Sequence, residues 1–566
     1  MLLLTEIVLA SLAILLSLAF AGAKSAWLDS AESAFRLLAR RRRMALLAVA
    51  MTAVCARLCG LAVEPVPVPR VDDEYSHILL ADTLLHGRLA NTTHPMWVHF
   101  EALEVIMKPT YASVYPPIEG MFLAAGQAVT GSAFLGVVLS IALMCASICW
   151  MLQGFLPAPW ALLGGLLAAM RFGLFTYWAN SYMGGAPAAI GGALVLGALF
   201  RIGKGPLPRY GAVLAAGIAI LANSRPYEGF IVSGAACLVL VYWFLKLDPC
   251  KRRAAVRNVT VPFLLTLAAA GALTGFYLWR VTGSPLRTPY QIVWETYGMV
   301  PKFLWQSLPS QHVAIRHEAL ARFYRVFEME SYFNTRDLPG LLREWGLRTF
   351  HDWSFYLGPL LTIPIVWSMV TVPYGFRLKD MSRPTQILAL SLISAGFAIA
   401  IETFSFPHYA APVTCAFIGI ALVGMKNLRA KKLGEKPFGI WLTRAILLAT
   451  AVLLLFRAAV VPFHVPLARG LMPSIYASNY AKTPGNLVGE YLQQLPGKHL
   501  VFVRYVPGTE TWMGWVHNAA DIDAAKIVWA WDMGKENDEL VAYYAKQQRS
   551  IWFVNTTDSV PVLTGH

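Results

Sequence analysis

Charge is the scarcest commodity in this chain. Of its 566 residues only 14% are Asp, Glu, Lys or Arg, against 57% hydrophobic, whereas a soluble domain is nearer a quarter charged. That deficit excludes several independent soluble domains, which length alone would suggest. Cysteine is also sparse. The seven thiols lie mostly in apolar runs, and Cys55/Cys59 and Cys145/Cys149 are spaced four apart rather than as a redox motif. No disulfide framework or zinc pattern follows, and buried thiols acting as small hydrophobes are the simpler reading. Internal repeats and low-complexity tracts are absent, and so is the basic start of a cleaved leader, since Leu2 to Ala23 carries Glu6.

What the chain has instead is long uncharged stretches. Gly120 to Met170, Val259 to Trp279 and Trp353 to Phe376 contain no ionisable acid or base. About 20 apolar residues suffice to cross a bilayer as a helix, and none of these runs alternates as a barrel strand would. The net charge is +15, which in a soluble protein would point to nucleic acid. Here 20 of the 47 basic residues fall in five short segments between apolar runs: Arg40 to Arg43, Arg201 to Arg209, Lys246 to Arg257, Arg377 to Arg383 and Lys426 to Lys436. This is the positive-inside pattern. It predicts orientation and contact with anionic lipid, with no nucleic-acid partner.

The expected fold is an all-α polytopic membrane protein of about 12 or 13 spans with a small α/β domain at the C-terminus. Residues 1–43 comprise a first span and a basic cytoplasmic segment. Residues 44–461 form the transmembrane module, with outer loops at 65–115 and 281–350. Residues 462–566 form an extracytoplasmic domain, because His499 to Val506, Lys526 to Asp532 and Ser550 to Asn555 read as strands and Lys535 to Gln548 as a helix. Between the first outer loop and Tyr177 the basic clusters require an even number of crossings, two or four. Asp73 to Gly87 has helical periodicity and is expected along the membrane interface.

Chemistry-bearing residues converge on the outer side. Asp72-Asp73-Glu74 places three adjacent carboxylates after a span; such crowding raises pKa values and suits a general base. The same acids could simply cap the following helix, and one can cap while its neighbour reacts. Lys108, before Pro109, offers a cation for phosphate or a snorkelling interfacial lysine. Arg225 and Glu228 lie between two apolar runs, where unpaired charge is costly, so each is expected to pair with the other or with a ligand. Tyr177 to Gly185 reads as an aromatic belt or a sugar-contacting surface. Glu402, His408 and Tyr409 follow late in the chain. The four histidines of the first loop match no common zinc spacing. Long mid-span stretches such as Phe263 to Trp279 lack ionisable groups, which counts against a lipid or glycan flippase. A non-catalytic scaffold would leave Asp72–Glu74 with no role beyond capping.

This layout resembles the GT-C superfamily of polytopic membrane glycosyltransferases, including the protein O-mannosyltransferase-like and aminoarabinose-transferase-like enzymes. The likeness rests on Asp72-Asp73-Glu74 in the first outer loop, Tyr115-Pro116-Pro117 opening the next span, and His408-Tyr409 followed by Pro412. The Trp-Trp-Asp acceptor motif of an oligosaccharyltransferase is absent. The resemblance implies a multi-pass protein of the inner or plasma membrane whose site faces away from the cytoplasm. It implies a polyprenyl-phosphate sugar as donor and a glycan, lipid or protein as acceptor. Asp72 or Asp73 would be the catalytic base, with Glu74, Lys108, Tyr115, Arg225, Glu228, Glu402, His408 and Tyr409 binding substrate. A divalent cation is compatible with this scheme but not required by it, because the leaving group is already a phosphate.

Overall fold

The computed structural model describes the chain except residues 22, 24, 299, 309–312, 371–380, 469–471, 479–481, 507, 511, 557–563 and 566. The basic residues Arg377 and Lys379 therefore lie outside the described residues. The helical module opens with α1 (Leu2–Ala19), α2 (Ala26–Arg40), α3 (Arg42–Cys59) and α4 (Asp72–Leu85). A small antiparallel sheet follows, β1 (Asn91–Thr92), β2 (Val105–Ile106) and β3 (Thr110–Ser113), in the order β1-β3-β2. Then come α5 (Pro117–Thr130), α6 (Phe134–Leu152), α7 (Ala158–Phe172), the single turn α8 (Tyr177–Asn180), α9 (Ala186–Ile202), α10 (Pro208–Ala222), α11 (Pro226–Leu245) and α12 (Pro249–Thr282). Three short helices, α13 (Pro289–Tyr297), α14 (Glu318–Arg322) and α15 (Glu328–Phe333), precede α16 (Leu338–Tyr356), α17 (Gly358–Val370), α18 (Arg383–Ala400), α19 (Thr414–Arg429) and α20 (Phe438–Val460).

Among the described residues eight helices are long and apolar enough to cross a membrane, and α16–α17 make a ninth candidate bent by 96°. Helices α7, α9 and α10 are shorter but apolar. Together these give twelve apolar segments, at the lower end of the expected range. Proline starts many of them, at the first or second position of α7, α9, α10, α11, α12 and α18, where its missing N–H costs nothing.

Side-chain contacts establish a common sidedness. Arg42 and Arg209 are each near enough to repel Arg201, and Glu32 of α2 binds Arg429 at 2.6 Å. Three of the basic clusters thus share one face. At the opposite face, Arg57 at the end of α3 donates to the carbonyls of Ala179 and Glu64, and Arg457 at the end of α20 binds Glu64 at 2.7 Å. Helix α5 begins there, with Ile118 N–H on the Asn223 carbonyl, and its successor also starts there, with Arg57 over the Phe134 ring at 4.7 Å. Helix α5 is therefore a short excursion, and only α6 and α7 cross before Tyr177. Helix α16 runs along the same face, where Arg348 donates to the Glu402 and Thr403 carbonyls at 2.6 and 2.5 Å.

The C-terminal region adds α21 (Pro484–Gln494), β4 (His499–Arg504), β5 (Ile527–Trp531), α22 (Asn537–Tyr544), β6 (Ser550–Asn555) and β7 (Thr564–Gly565). The sheet order is β5-β4-β6-β7; β4 is parallel to both β5 and β6, and β7 is antiparallel to β6. One face of this sheet, with Leu500, Phe502 and Val528, packs on Phe100, Met107 and Tyr111 of the first loop. Helix α4 lies beneath it. Its Tyr75 ring stacks on His517 at 3.6 Å, and Asp82 accepts from the Ala520 N–H at 2.7 Å. Helix α4 is thus covered by protein, a correction to the expected interfacial helix: its apolar residues face α5 and the C-terminal sheet because burial there covers more than one side.

Arg457 is fully buried, and its Nε and Nη1 carry no hydrogen bond. Removing Glu64, its one carboxylate partner among the described residues, strands a buried charge. Glu64→Gln should therefore destabilise the protein by about 3–5 kcal/mol, seen as a lowered melting temperature in detergent; an unchanged melt would show the pair to be dispensable.

Candidate functional site

The first turn of α4 separates three adjacent acids into three environments. Glu74 closes the helix: it accepts from the N–H groups of Arg70 and Val71 at 2.8 and 3.4 Å and, with its other oxygen, from Tyr182 N–H at 3.0 Å. Both oxygens are engaged, so Glu74 caps the helix rather than contacting substrate. Asp72 turns toward the C-terminal region, where its Oδ1 lies against Gly514 so closely that a Cβ there would stand 2.4 Å away. With Glu101, Tyr505 and Trp531 it lines a cavity of only about 10 Å³. That leaves no room for a substrate at Asp72. Asp73 faces the third direction and accepts a hydrogen bond from Tyr115 Oη. The Tyr115 ring stacks on His77 at 4.4 Å and meets Tyr290 edge-on at 6.3 Å.

Around Asp73 gather residues from distant parts of the chain. Arg225 immediately precedes α11; its guanidinium lies 3.8 Å from Glu228 and 4.4 Å above the Tyr409 ring. Buried Glu228 is one helical turn on. His408 sits in the turn entering α19, with Tyr177 Oη 2.8 Å from its Nδ1. Glu402 is brought in by a short strand-like pairing: Thr403 N–H donates to the Lys302 carbonyl and Leu304 N–H to the Ile401 carbonyl, both at 2.9 Å. That pairing delivers Lys302, whose ammonium lies 5.3 Å over the Tyr290 ring. Lys302 acts electrostatically on Asp73, Glu104, Glu228, Glu328 and Glu402.

The geometry separates the protonation states. Burial pushes Asp73 up to about 6, while the Arg225 and Lys302 cations oppose the shift. Burial, and then the Asp73 carboxylate itself, lift Glu104 to about 8. Burial and Glu228 lift Glu402 to about 9 against Arg225, Lys302 and Arg348. Burial and Arg225 push His77 down to about 3. For Arg225 burial disfavours the charge, but Glu228 and neighbouring tyrosines more than offset it. At neutral pH the cluster therefore holds Asp73 ionised beside two cations, of which Arg225 is also paired with Glu228, while Glu104 and Glu402 are mostly protonated and His77 is neutral. Pushing titrating groups apart in this way is how a site acquires distinct acid and base roles.

Of the expected residues, Asp73, Tyr115, Arg225, Glu228, Glu402, His408 and Tyr409 come together. Lys108 does not: it is exposed, with its ammonium 4.2 Å over the Trp97 ring. It is a surface cation, so Lys302 takes the place expected for it. Sequence reasoning missed Lys302, Tyr290 and Glu328, which lie in a mixed-charge loop without a distinguishing pattern. Only the pairing of 302–304 with 401–403 marks Lys302. Glu104 did carry one signal, being an acid in the Asp73 loop; the structure adds that its φ is +57°, a strained region for a residue with a side chain. Among the described residues no group of three or more His, Cys, Asp and Glu is arranged to hold a metal ion.

A lateral groove of about 610 Å³ opens between α10 and α12, lined by apolar residues including Ala222, Leu267, Ala270 and Trp279. Asn223 and Thr274, whose side chains are hydrogen-bonded to each other, are among its polar lining residues.

No protein-family model and no curated protein matches the chain. Its fold is found in solved structures. The apo oligosaccharyltransferase of Archaeoglobus fulgidus is 13% identical over 91% of this chain and 69% of its own, with a TM-score of 0.50. An archaeal oligosaccharyltransferase AglB from Archaeoglobus fulgidus, in complex with an inhibitory peptide and a dolichol-phosphate, is 12% identical over 91% and 69%, at 0.48. ArnT from Cupriavidus metallidurans bound to undecaprenyl phosphate is 12% identical over 90% and 92%, at 0.44. The first of these likenesses shows a shared fold and no more, and the chemistry of this chain rests on its own site.

The lifted Glu104 makes stability depend on pH. Its folded value of about 8 exceeds the ordinary 4.5, so between those values the folded protein holds a proton that the unfolded chain has released. Its contribution is complete below about pH 4.5 and is lost as pH rises through 8. The melting temperature of the wild type should therefore fall from pH 5 to pH 8, and Glu104→Gln should flatten that slope; parallel slopes would show that Glu104 is not held protonated.

Proposed function

We propose that the chain is a glycosyltransferase that moves a sugar from a polyprenyl-phosphate donor to an acceptor hydroxyl on the face of the membrane away from the basic loops, with Asp73 as general base. The observation that carries this reading is a buried carboxylate, Asp73, held by the Tyr115 hydroxyl and set beside the Arg225 and Lys302 cations. Such a site has one group that takes a proton and two that stabilise a departing phosphate.

The donor tail would lie in the groove between α10 and α12, which opens to the side rather than to water. Its phosphate would meet Arg225 and Lys302. A guanidinium fork suits phosphate oxygens, and the exposed ammonium of Lys302 supplies a second, mobile charge. The acceptor hydroxyl gives its proton to Asp73 as its oxygen bonds to the anomeric carbon. The bond from that carbon to the phosphate oxygen breaks, and the lipid phosphate leaves with the electron pair. Tyr115 holds the Asp73 carboxylate in position throughout. Glu402 and Glu104, mostly protonated, can donate hydrogen bonds to sugar or phosphate oxygens without opposing the departing negative charge. Tyr177, Tyr290 and Tyr409, which all lie near the Arg225 guanidinium, supply flat, amphipathic rings of the kind sugars stack upon. The acceptor class is left to the open side of the site, near the loop that carries Lys302.

Turnover of a lipid-linked sugar by the purified protein in vesicles tests the proposal. Asp73→Asn should reduce the rate by roughly 10²–10⁴-fold while donor binding is retained. Arg225→Ala should lose about 10²-fold and weaken donor binding. Lys302→Met should be impaired and Lys108→Met unimpaired. Undiminished transfer by Asp73→Asn would remove the base from the mechanism, and equal effects at Lys302 and Lys108 would remove the cation pair.

A further inference from the structure

Helix α2 is confined to the membrane surface at both ends. Span α1 stops at Ala19 and span α3 begins at Arg42, so the 15 residues of α2 cannot leave the level where hydrocarbon meets water. Its roll about its own axis is fixed. Glu32 binds Arg429 at 2.6 Å and Arg444 at 2.9 Å, and Asp29 binds Arg444 at 2.7 Å. On that side Phe35 and Ala39 join the helical core.

Beside the packed side, and next to the exposed Ser30, Ser33 and Arg36, runs an uncovered apolar strip. Trp27, Ala31, Ala34 and Leu38 fall on one strip at helical spacing, and all four are exposed, Trp27 to 75%. Directly beyond the strip stand Arg40, Arg41, Arg42 and Arg43, each exposed. Arg42 and Arg209 are each close enough to Arg201 to repel it. Among the described residues none of these six arginines has a carboxylate partner, the α2 acids Asp29 and Glu32 being taken by Arg36, Arg429 and Arg444. Arg201 is engaged by the Gly197 and Trp150 carbonyls, but the four exposed arginines in a row at 40–43 have no carboxylate counter-ion among the described residues and call for an anion. An indole and a leucine held at the hydrocarbon boundary call for a lipid interior.

We propose that α2 and this basic face form a docking surface for anionic phospholipid, with Trp27 and Leu38 set into the acyl boundary and the arginines on the headgroups. An acidic protein partner would satisfy the arginines but leave the strip against lipid unexplained. A free phosphate would satisfy neither the strip nor the spread of the charges. Bilayer lipid satisfies both, and the fixed roll of α2 presents both at once. This surface lies on the face opposite Asp73 and stands independently of any catalytic reading.

Hydrogen–deuterium exchange of the full-length protein in nanodiscs tests the assignment, comparing pure phosphatidylcholine with a mixture containing phosphatidylglycerol. Residues 26–43 should exchange at least about fivefold more slowly in the anionic discs. The variant Arg40→Gln/Arg41→Gln/Arg43→Gln should lose that difference, while residues 414–429 exchange as in the wild type and report an intact fold. Equal exchange of the wild type in both lipids overturns the proposal. So does full protection in phosphatidylcholine discs on adding inorganic phosphate, which would make the site one for a free anion.

Discussion

Asp73 keeps its charge in a buried place because Arg225 and Lys302 oppose the cost of taking a carboxylate out of water. Much of the surrounding architecture serves that balance. Arg225 is held where α11 begins, steadied by Glu228 and the Tyr409 ring. Lys302 is held by backbone pairing with 401–403, which Arg348 in turn secures by grasping two carbonyls. Tyr115 fixes the carboxylate itself. A buried charge left without such partners would take up a proton and cease to be a base.

The same electrostatic cost shaped the larger plan. Ionisable groups are expensive in hydrocarbon, so the twelve apolar segments leave their charges at the ends. One set of ends collects the arginines of 40–43, 201 and 209; the other collects acids, histidine and tyrosines. Exceptions inside the protein are paired, as Arg457 with Glu64 and Arg171 with Glu6. Gathering residues from distant parts of the sequence is thus a by-product of folding in lipid.

The membrane architecture was legible in the sequence because apolar length and basic loops are collective signals. The strands at 499–504, 527–531 and 550–555 were legible for a similar reason: β-branched and aromatic residues run together between turn signals. The sequence also placed Asp73, Arg225, Glu402 and His408 on one face, since sidedness follows from counting crossings. It could not say which of three adjacent acids faces the site, because successive residues of a helix start point in directions that only packing distinguishes. Asp72 and Glu74 are spoken for by Gly514 and by backbone N–H groups. Nor could it choose Lys302 over Lys108: both are lysines in polar loops, and the choice was made by a backbone pairing between segments a hundred positions apart. The burial of α4 escaped for the same reason, since its cover is encoded more than four hundred residues later.

That pairing between 302–304 and 401–403 has a consequence for biosynthesis. A ribosome-bound chain that has inserted α1 to α12 already carries Asp73 and Arg225, yet lacks the lysine, the late histidine and the sheet that steadies α4. The reactive centre is completed only when the final third arrives. An unfinished polypeptide in the bilayer thus carries Asp73 without the cation and cover that the later segments bring to it.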